Sequence, residues 1–268
     1  MNVVITGGSK GIGLGMAREF LKRGHSVSIC SRGQADIDAA IAVLEAESSA
    51  DTIVTGTACD VSNYDQVKEL WDVSVRDMGS VDIWVNNAGR DGKKQLFKDL
   101  PPEDFRMTVD TNSTGMMNCC HVALNGMLEQ ENGGRIFNME GFGSDGMVRP
   151  RLGPYGSTKI GLRYFTKTLV KECEGTNVKA CYLSPGMVVT DLLVPQPEDR
   201  DEDWEKSKKV LNILADTVET VTPYLVDGML AAENNGDAVR WLTGKKVAWR
   251  FMTARFGKKR DLFSDMGA

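Results

Sequence analysis

The period of the apolar residues alternates along the chain between that of a strand and that of a helix. Val3-Val4-Ile5 is a short apolar run that stops at Thr6-Gly7-Gly8, and Ile12, Met16, Ala17, Phe20 and Leu21 then recur at helical spacing as far as Gly24. The exchange repeats. Strand-like runs cover 27–30, 53–59, 81–85, 135–139 and 178–183, and helical spacing covers 37–47, 64–77, 105–128 and 156–172. Such alternation predicts parallel β-α-β units, hence an α/β fold: one doubly wound parallel sheet with helices on both faces. Crossovers of this kind are right-handed, and a ligand belongs beyond the C-terminal ends of the strands. The pattern divides the chain into a core over 1–194, a lid with a following helix over 195–235, and an extension over 236–268.

Composition narrows the class. A chain of 268 residues with 41% hydrophobic and 26% charged residues is globular and builds a sizeable core. A net charge of −5 argues against nucleic acid as a partner. No apolar run approaches the roughly 18 residues of a spanning helix. Met1 to Ile5 enter a strand directly, without a secretory or transit pattern, which predicts a cytoplasmic protein or an organellar one lacking its leader. The six cysteines form no Cys-x-x-Cys pair, so they are expected buried and reduced, with no metal site. Pro195 to Glu205 is the most polar stretch and reads as a solvated loop or lid. From Arg240 to Arg260 there are eight Lys or Arg and no acidic residue, interleaved with Trp241, Trp249, Phe251, Met252 and Phe256.

Thr6, Gly7, Gly8, Ser9, Lys10, Gly11, Ile12 and Gly13 lie between the first strand and the first helix. Glycine lets the backbone turn sharply and approach a pyrophosphate, and the helix N-terminus supplies N–H groups and partial positive charge. This turn predicts a Rossmann-type dinucleotide site. An acidic residue at the end of the second strand would hold the 2′-hydroxyl of NAD. Ser31-Arg32 stands there instead, and Arg32, with Lys10 nearby, suits the 2′-phosphate of NADPH.

Tyr155 and Lys159 share a face at the start of a helix, and Pro154 is a fitting helix starter. A nearby ammonium is expected to lower the tyrosine pKa from about 10, so that the phenol exchanges a proton with a substrate oxygen.

With these residues in place, the chain resembles the short-chain dehydrogenase/reductase family. The resemblance rests on Thr6 to Gly13, Asp60-Val61, Asn86-Asn87-Ala88-Gly89, Asn112, Tyr155 with Lys159, and Pro185-Gly186 with Thr190, in the family's order over 1–192. It implies that Asp60 and Val61 flank the adenine, and that Asn87, Ala88 and Gly89 line the cofactor cleft. Pro185, Gly186, Val188 and Thr190 would border the nicotinamide. Asn112 would support a proton relay to Lys159, Lys159 would also bond the ribose, and Tyr155 would be the acid. One departure matters: the family's usual serine, three residues after Asn138, is Gly141 here. Ser144 is the candidate replacement as donor to the substrate carbonyl, with the backbone N–H groups of the glycine-rich loop as the alternative. Asp145 is expected to pair with Arg149 or Arg151, or to face solvent.

The stretches 135–146, 150–151, 155–159 and 183–193, and in the C-terminal run 211–216, 223–226 and 240–244, resemble the Non-Yellow Coloring type of chlorophyll b reductases. That resemblance implies NADPH-dependent reduction of the 7-formyl group of chlorophyll b, or of its phytol-free chlorophyllide b, to the 7-hydroxymethyl product. It also implies a chloroplast location, thylakoid-associated if the protein is plastid-derived, and a homo-oligomer, dimer or tetramer. Met147, Val148, Met187, Val188, Leu192, Leu193 and Val194 are candidate walls of an apolar pigment cleft, or ordinary packing. The basic, aromatic extension suits peripheral contact with a membrane or a light-harvesting pigment complex. Two other readings fit the same residues: a reductase of a 3-oxoacyl thioester or a quinone, and a non-catalytic NADP-binding scaffold.

Overall fold

The computed structural model describes residues 1–195, 200–255 and 260–263. Among them, seven parallel strands form one sheet in the order β3-β2-β1-β4-β5-β6-β7. The strands are β1 (Asn2–Thr6), β2 (Ser26–Ser31), β3 (Val54–Ala58), β4 (Ile83–Asn86), β5 (Gly134–Met139), β6 (Val178–Ser184) and β7 (Ala238–Arg240). Strand order reverses between β1 and β4, and that switch point opens the crevice in which a ligand binds.

Both faces of the sheet are covered, which explains the unbroken apolar runs. Alternate residues of one strand serve different cores. Val3 and Ile5 join Phe20 of α1 (Gly11–Lys22), Leu44 of α2 (Gln34–Glu47) and Leu225 of α8 (Val218–Ala231) on one face. Val4 joins Leu70 of α3 (Tyr64–Met78), Cys119 of α5 (Met116–Glu129) and Leu162 of α6 (Gly153–Glu172) on the other. All six cysteines are free and buried, as their spacing implies.

Three elements differ from the sequence expectation. The helix expected over 105–128 is α4 (Pro102–Val109) and α5 joined by a π-helical segment, Asp110–Gly115. The wider turn shifts the helical phase and buries Asn112 at 2% exposure. The polar stretch after Pro195 includes the start of α7 (Glu202–Leu214), because the Asp201 carboxylate caps the N–H groups of Asp203 and Trp204. Gln196 to Asp199 of that stretch, and Phe256 of the basic run, lie outside the described residues. The extension supplies the edge strand β7 and a short helix, α9 (Gly244–Thr253).

The basic run is turned partly inward. Arg250 and Arg260 pair with the buried Asp216 at 2.8 and 2.9 Å, and the Trp241 indole N–H donates to the same carboxylate at 2.6 Å. Asp216 also exchanges backbone hydrogen bonds with Met187 and Val189, so the extension is tied to the loop after β6.

Candidate active site

The C-terminal ends of the strands open into a cleft of about 2310 Å³. Its floor is the turn after β1. Gly7 and Gly11 hold positive φ angles of 64° and 55°. A Cβ on Gly13 would lie 2.2 Å from the Gly7 carbonyl oxygen, so only glycine lets the helix begin this close to the turn. Ser9, Lys10, Ile12, Ser31, Arg32, Asp60, Val61, Asn87, Ala88 and Gly89 line the same cleft with these glycines. Thr6 does not line it. At 1% exposure it braces the turn from behind, its hydroxyl accepting from the N–H groups of Asn87 and Ala88 at 3.0 Å each. The Asn87 amide donates to the carbonyls of Thr6 and Gly7, fixing the turn from the other side. Arg32 is exposed at the cleft edge and makes no ion pair among the described residues. Lys10 bonds Asp191 at 3.4 Å, a surface pair that spans the cleft.

Pro185, Gly186, Val188 and Thr190 form the opposite wall. Leu242 of the extension packs onto Gly186, where a Cβ would meet it at 2.6 Å. Met187, Val188, Leu192, Leu193 and Val194 line the cleft, and Met187, Leu193 and Val194 also pack on the cluster of Trp204 and Phe263. Met147 and Val148 do not line it. They border a smaller cavity of about 180 Å³, which shares Phe142, Arg149 and Leu152 with the cleft, and are 59% and 92% exposed.

Tyr155 and Lys159 come together on α6, at the junction of the two halves of the cleft. Tyr155 is 8% exposed. Burial pushes its phenol pKa well above the ordinary range, and the Asp91 carboxylate adds to the rise. This reverses the expected lowering: the Lys159 ammonium lies 5.7 Å from the ring centroid and is spent on the Met139 carbonyl, to which it donates at 2.9 Å. The phenol therefore stays protonated at neutral pH, the state a proton donor needs. Burial lowers the Lys159 pKa to about 8, against the pull of Glu140, which raises it.

Asn112 lies behind the cleft. Its amide donates to the Arg90 carbonyl at 2.7 Å and to the Thr158 hydroxyl at 3.1 Å, and its oxygen accepts from the Arg90 N–H at 2.8 Å. No hydrogen bond from Asn112 to Lys159 exists among the described residues. Ser144 is also set back. Its hydroxyl accepts from the Gly141 N–H at 3.0 Å, closing a turn that holds Gly141 against Tyr155. A Cβ on Gly141 would lie 2.3 Å from the Tyr155 hydroxyl oxygen, so a side chain there and this tyrosine position exclude one another. Asp145 bonds neither arginine; its carboxylate accepts from the Met147 N–H at 3.1 Å. Arg149 instead donates to Ser207, and Arg151 pairs with Asp201 at 2.5 Å and Asp203 at 3.4 Å, fastening the loop to α7.

Among the cleft groups that the sequence did not single out, Asp91 and Glu140 act on Tyr155 and Lys159. Glu140 had a readable signal: an acidic residue directly after an apolar strand, in a segment otherwise glycine-rich. Asp91 had none.

These glycines, the strand order and the Tyr155–Lys159 pair define a class. Residues 1–201 match the family model described as short chain dehydrogenase, and the chain belongs to the short-chain dehydrogenase/reductase family, oxidoreductases acting on carbonyl and hydroxyl groups. Within that family it is similar to chlorophyll(ide) b reductases. It is 41% identical over 273 aligned residues to chlorophyll(ide) b reductase NOL, chloroplastic, of Arabidopsis thaliana, covering 98% of this chain and 76% of that protein. It is 38% identical to the probable chlorophyll(ide) b reductase NYC1, chloroplastic, of the same plant, covering 99% of this chain but 55% of that protein, about half its length. Among solved structures, a 3-ketoacyl-(acyl-carrier-protein) reductase from Brucella melitensis complexed with NADH superposes with a TM-score of 0.76 at 25% identity, covering 91% of this chain and 98% of that one. A short-chain type dehydrogenase/reductase from Mycobacterium ulcerans shares the fold with a TM-score of 0.79 at 23% identity, covering 99% and 93%. The glycine cradle and its cleft fit a nicotinamide dinucleotide.

Proposed function

We propose that the protein reduces the 7-formyl group of chlorophyll b, or of chlorophyllide b, to a hydroxymethyl group with NADPH. The observation that carries this reading is a buried, protonated Tyr155 at the junction of a dinucleotide cradle and an apolar wall, in a chain about two-fifths identical along 98% of its length to a chlorophyll(ide) b reductase. When bound, the reduced nicotinamide supplies hydride. Tyr155 donates its hydroxyl proton to the aldehyde oxygen as the carbon is reduced. Lys159, held by the Met139 carbonyl, stabilises the phenolate left behind and bonds the cofactor ribose. Asn112 positions α6 through Thr158 and the cleft loop through Arg90. With Gly141 where a serine is usual, the carbonyl is polarised by Tyr155 and by the loop around Gly141 and Ser144.

The preference for NADPH is supported by Arg32 at the cleft edge, where a bidentate contact to a 2′-phosphate has room. The apolar walls from Met187 to Val194 would flank the chlorin, and α7 would cover it, with Trp204 and Leu211 lining the cleft mouth. We assign peripheral membrane or pigment-complex contact to α9, whose Trp249, Phe251 and Met252 are 60%, 47% and 64% exposed. The chlorophyll(ide) b reductases it is similar to are chloroplastic, which supports a plastid location. No helix among the described residues is long and apolar enough to cross a membrane.

The test is incubation of purified protein with NADPH and chlorophyll b in detergent, followed by absorption spectra and chromatography of the pigments. A 7-hydroxymethyl product that disappears in Tyr155→Phe is the expected result. No product from folded protein that binds NADPH would return the reading to another carbonyl substrate.

A further inference from the structure

Glu140 is a carboxylate that the chemistry above leaves without a task. It is 5% exposed, yet it sits on the wall of the cleft between two residues that hold Lys159. On one side the Met139 carbonyl accepts from the Lys159 ammonium at 2.9 Å. On the other, the Gly141 backbone packs so tightly that a Cβ there would meet the Lys159 Cε at 3.1 Å. Two cations from different elements reach the carboxylate. Arg240 of β7 donates from Nε to Oε2 at 3.3 Å. Arg163 of α6, one helical turn beyond Lys159, places Nε 3.4 Å from Oε1 and donates to the Ser144 carbonyl at 3.3 Å. The Arg163 contact is an ion pair without hydrogen-bond geometry, so Oε1 is left with no hydrogen-bond partner among the described residues. An acceptor left unmade in such burial is costly unless it has a use.

We propose that Glu140 is a positioning residue for Lys159: through Arg163 and Arg240 its carboxylate clamps to α6 and β7 the loop whose Met139 carbonyl and Gly141 backbone hold the Lys159 side chain. Tyr155 lies against the lysine on its own helix and Glu140 acts on it from the loop after β5; Arg163 of α6 and Arg240 of β7 face the Glu140 carboxylate, and Asp91 acts on Tyr155. The Glu140 charge favours the charged lysine, and burial opposes it. The role rests on the catalytic reading of Tyr155 and Lys159 given above, but its test needs no turnover, so failure of the pigment assay and failure here remain distinct.

The test is an NMR titration of the full-length protein labelled at lysine 13Cε, with the Lys159 signal assigned by its loss in Lys159→Arg. The Lys159 midpoint is expected near 8 in the unaltered protein. In Glu140→Gln, which keeps the shape and removes the charge, it is expected to fall by about one pH unit, and Glu140→Asp is expected to recover most of that shift. A merely structural glutamate would change stability without moving the midpoint. Arg240→Gln, which frees the carboxylate from its outer partner, is expected to move the midpoint up and decides the matter if Glu140→Gln does not fold. An unchanged Lys159 midpoint in a folded Glu140→Gln, or in Arg240→Gln when that variant has to stand in, overturns the proposal.

Discussion

Gly141 is the position where a single methyl group matters most. Its hydrogen occupies the space that a Cβ would take 2.3 Å from the Tyr155 hydroxyl. Gly141→Ser, although it restores the residue usual in the family, is therefore expected to displace Tyr155. The cost should be about 1–3 kcal/mol in stability, the range for overpacking a well-packed site, with turnover lost well beyond that. Thermal unfolding beside steady-state rates measures both, and a fully active Gly141→Ser would show that the loop yields easily. Arg32 carries a separate prediction. A hydrogen bond to a charged group is worth about 1.5–3 kcal/mol, so Arg32→Ala should raise the KM for NADPH by roughly 10- to 100-fold. The KM for NADH should stay within a factor of about two, since NADH has no 2′-phosphate to lose. Equal effects on both cofactors would remove Arg32 from the 2′-phosphate site.

At the scale of elements, α9 makes the sharpest claim. It exposes Trp249, Phe251 and Met252, and Arg250, on the same helix, is bound inward to Asp216 and to the Leu214 carbonyl. Its apolar side chains and not its full count of cations would then drive contact with lipid. Replacing all three apolar residues by serine should abolish sedimentation with anionic vesicles and leave solution activity intact. Binding that survives the triple change but vanishes in high salt would point to the lysines instead. The elements also show what periodicity reveals. β1, β2 and β4 to β6 were readable because each carries an apolar run closed by a turn, and β3, Val-Thr-Gly-Thr-Ala, because its β-branched residues lie between two helical stretches. β7 was not, because Ala238-Val239-Arg240 is too short to display a period and ends on a cation whose partner, Glu140, is remote in sequence. The π-helical segment was equally hidden: Asn112 falls in a stretch with helical spacing on both sides, and only the extra residue in the turn directs it inward. Tyr155, Lys159 and the glycine turn were readable because their spacing is local. The retreat of Ser144 from the cleft was not, since it depends on one bond to the Gly141 N–H.

For the molecule as a whole, the buried thiols decide the alkaline limit of stability. Burial raises Cys119, Cys120, Cys173 and Cys181 above the ordinary 9.0, Cys120 to about 12 and Cys181 to about 11. Cys30 rises chiefly through its hydrogen bond with Cys59, with burial second. Above pH 9 the unfolded chain therefore sheds protons that the folded chain keeps, and stability falls as pH rises. Lys159 works the other way between about 8 and 10.5, because there the unfolded lysine holds the extra proton. Five thiols, joined above pH 10 by the raised Tyr155 and Tyr182 phenols, against the two lowered lysines Lys159 and Lys246 give a net loss, so the melting temperature should drop steadily from pH 9 to pH 10.5. A flat profile would mean the cysteines are more solvated than their positions imply. The edge strand has a consequence for biosynthesis. β6 ends at Ser184, but its outer neighbour β7 begins only at Ala238, and the arginines that hold Asp216 follow at positions 250 and 260. A nascent chain on the ribosome must therefore carry a nearly finished sheet with one raw edge until those residues emerge. Termination shortly before Ala238 would yield a product with Tyr155, Lys159 and Glu140 already made but without Glu140's partner Arg240, and prone to pair its open β6 with another such chain.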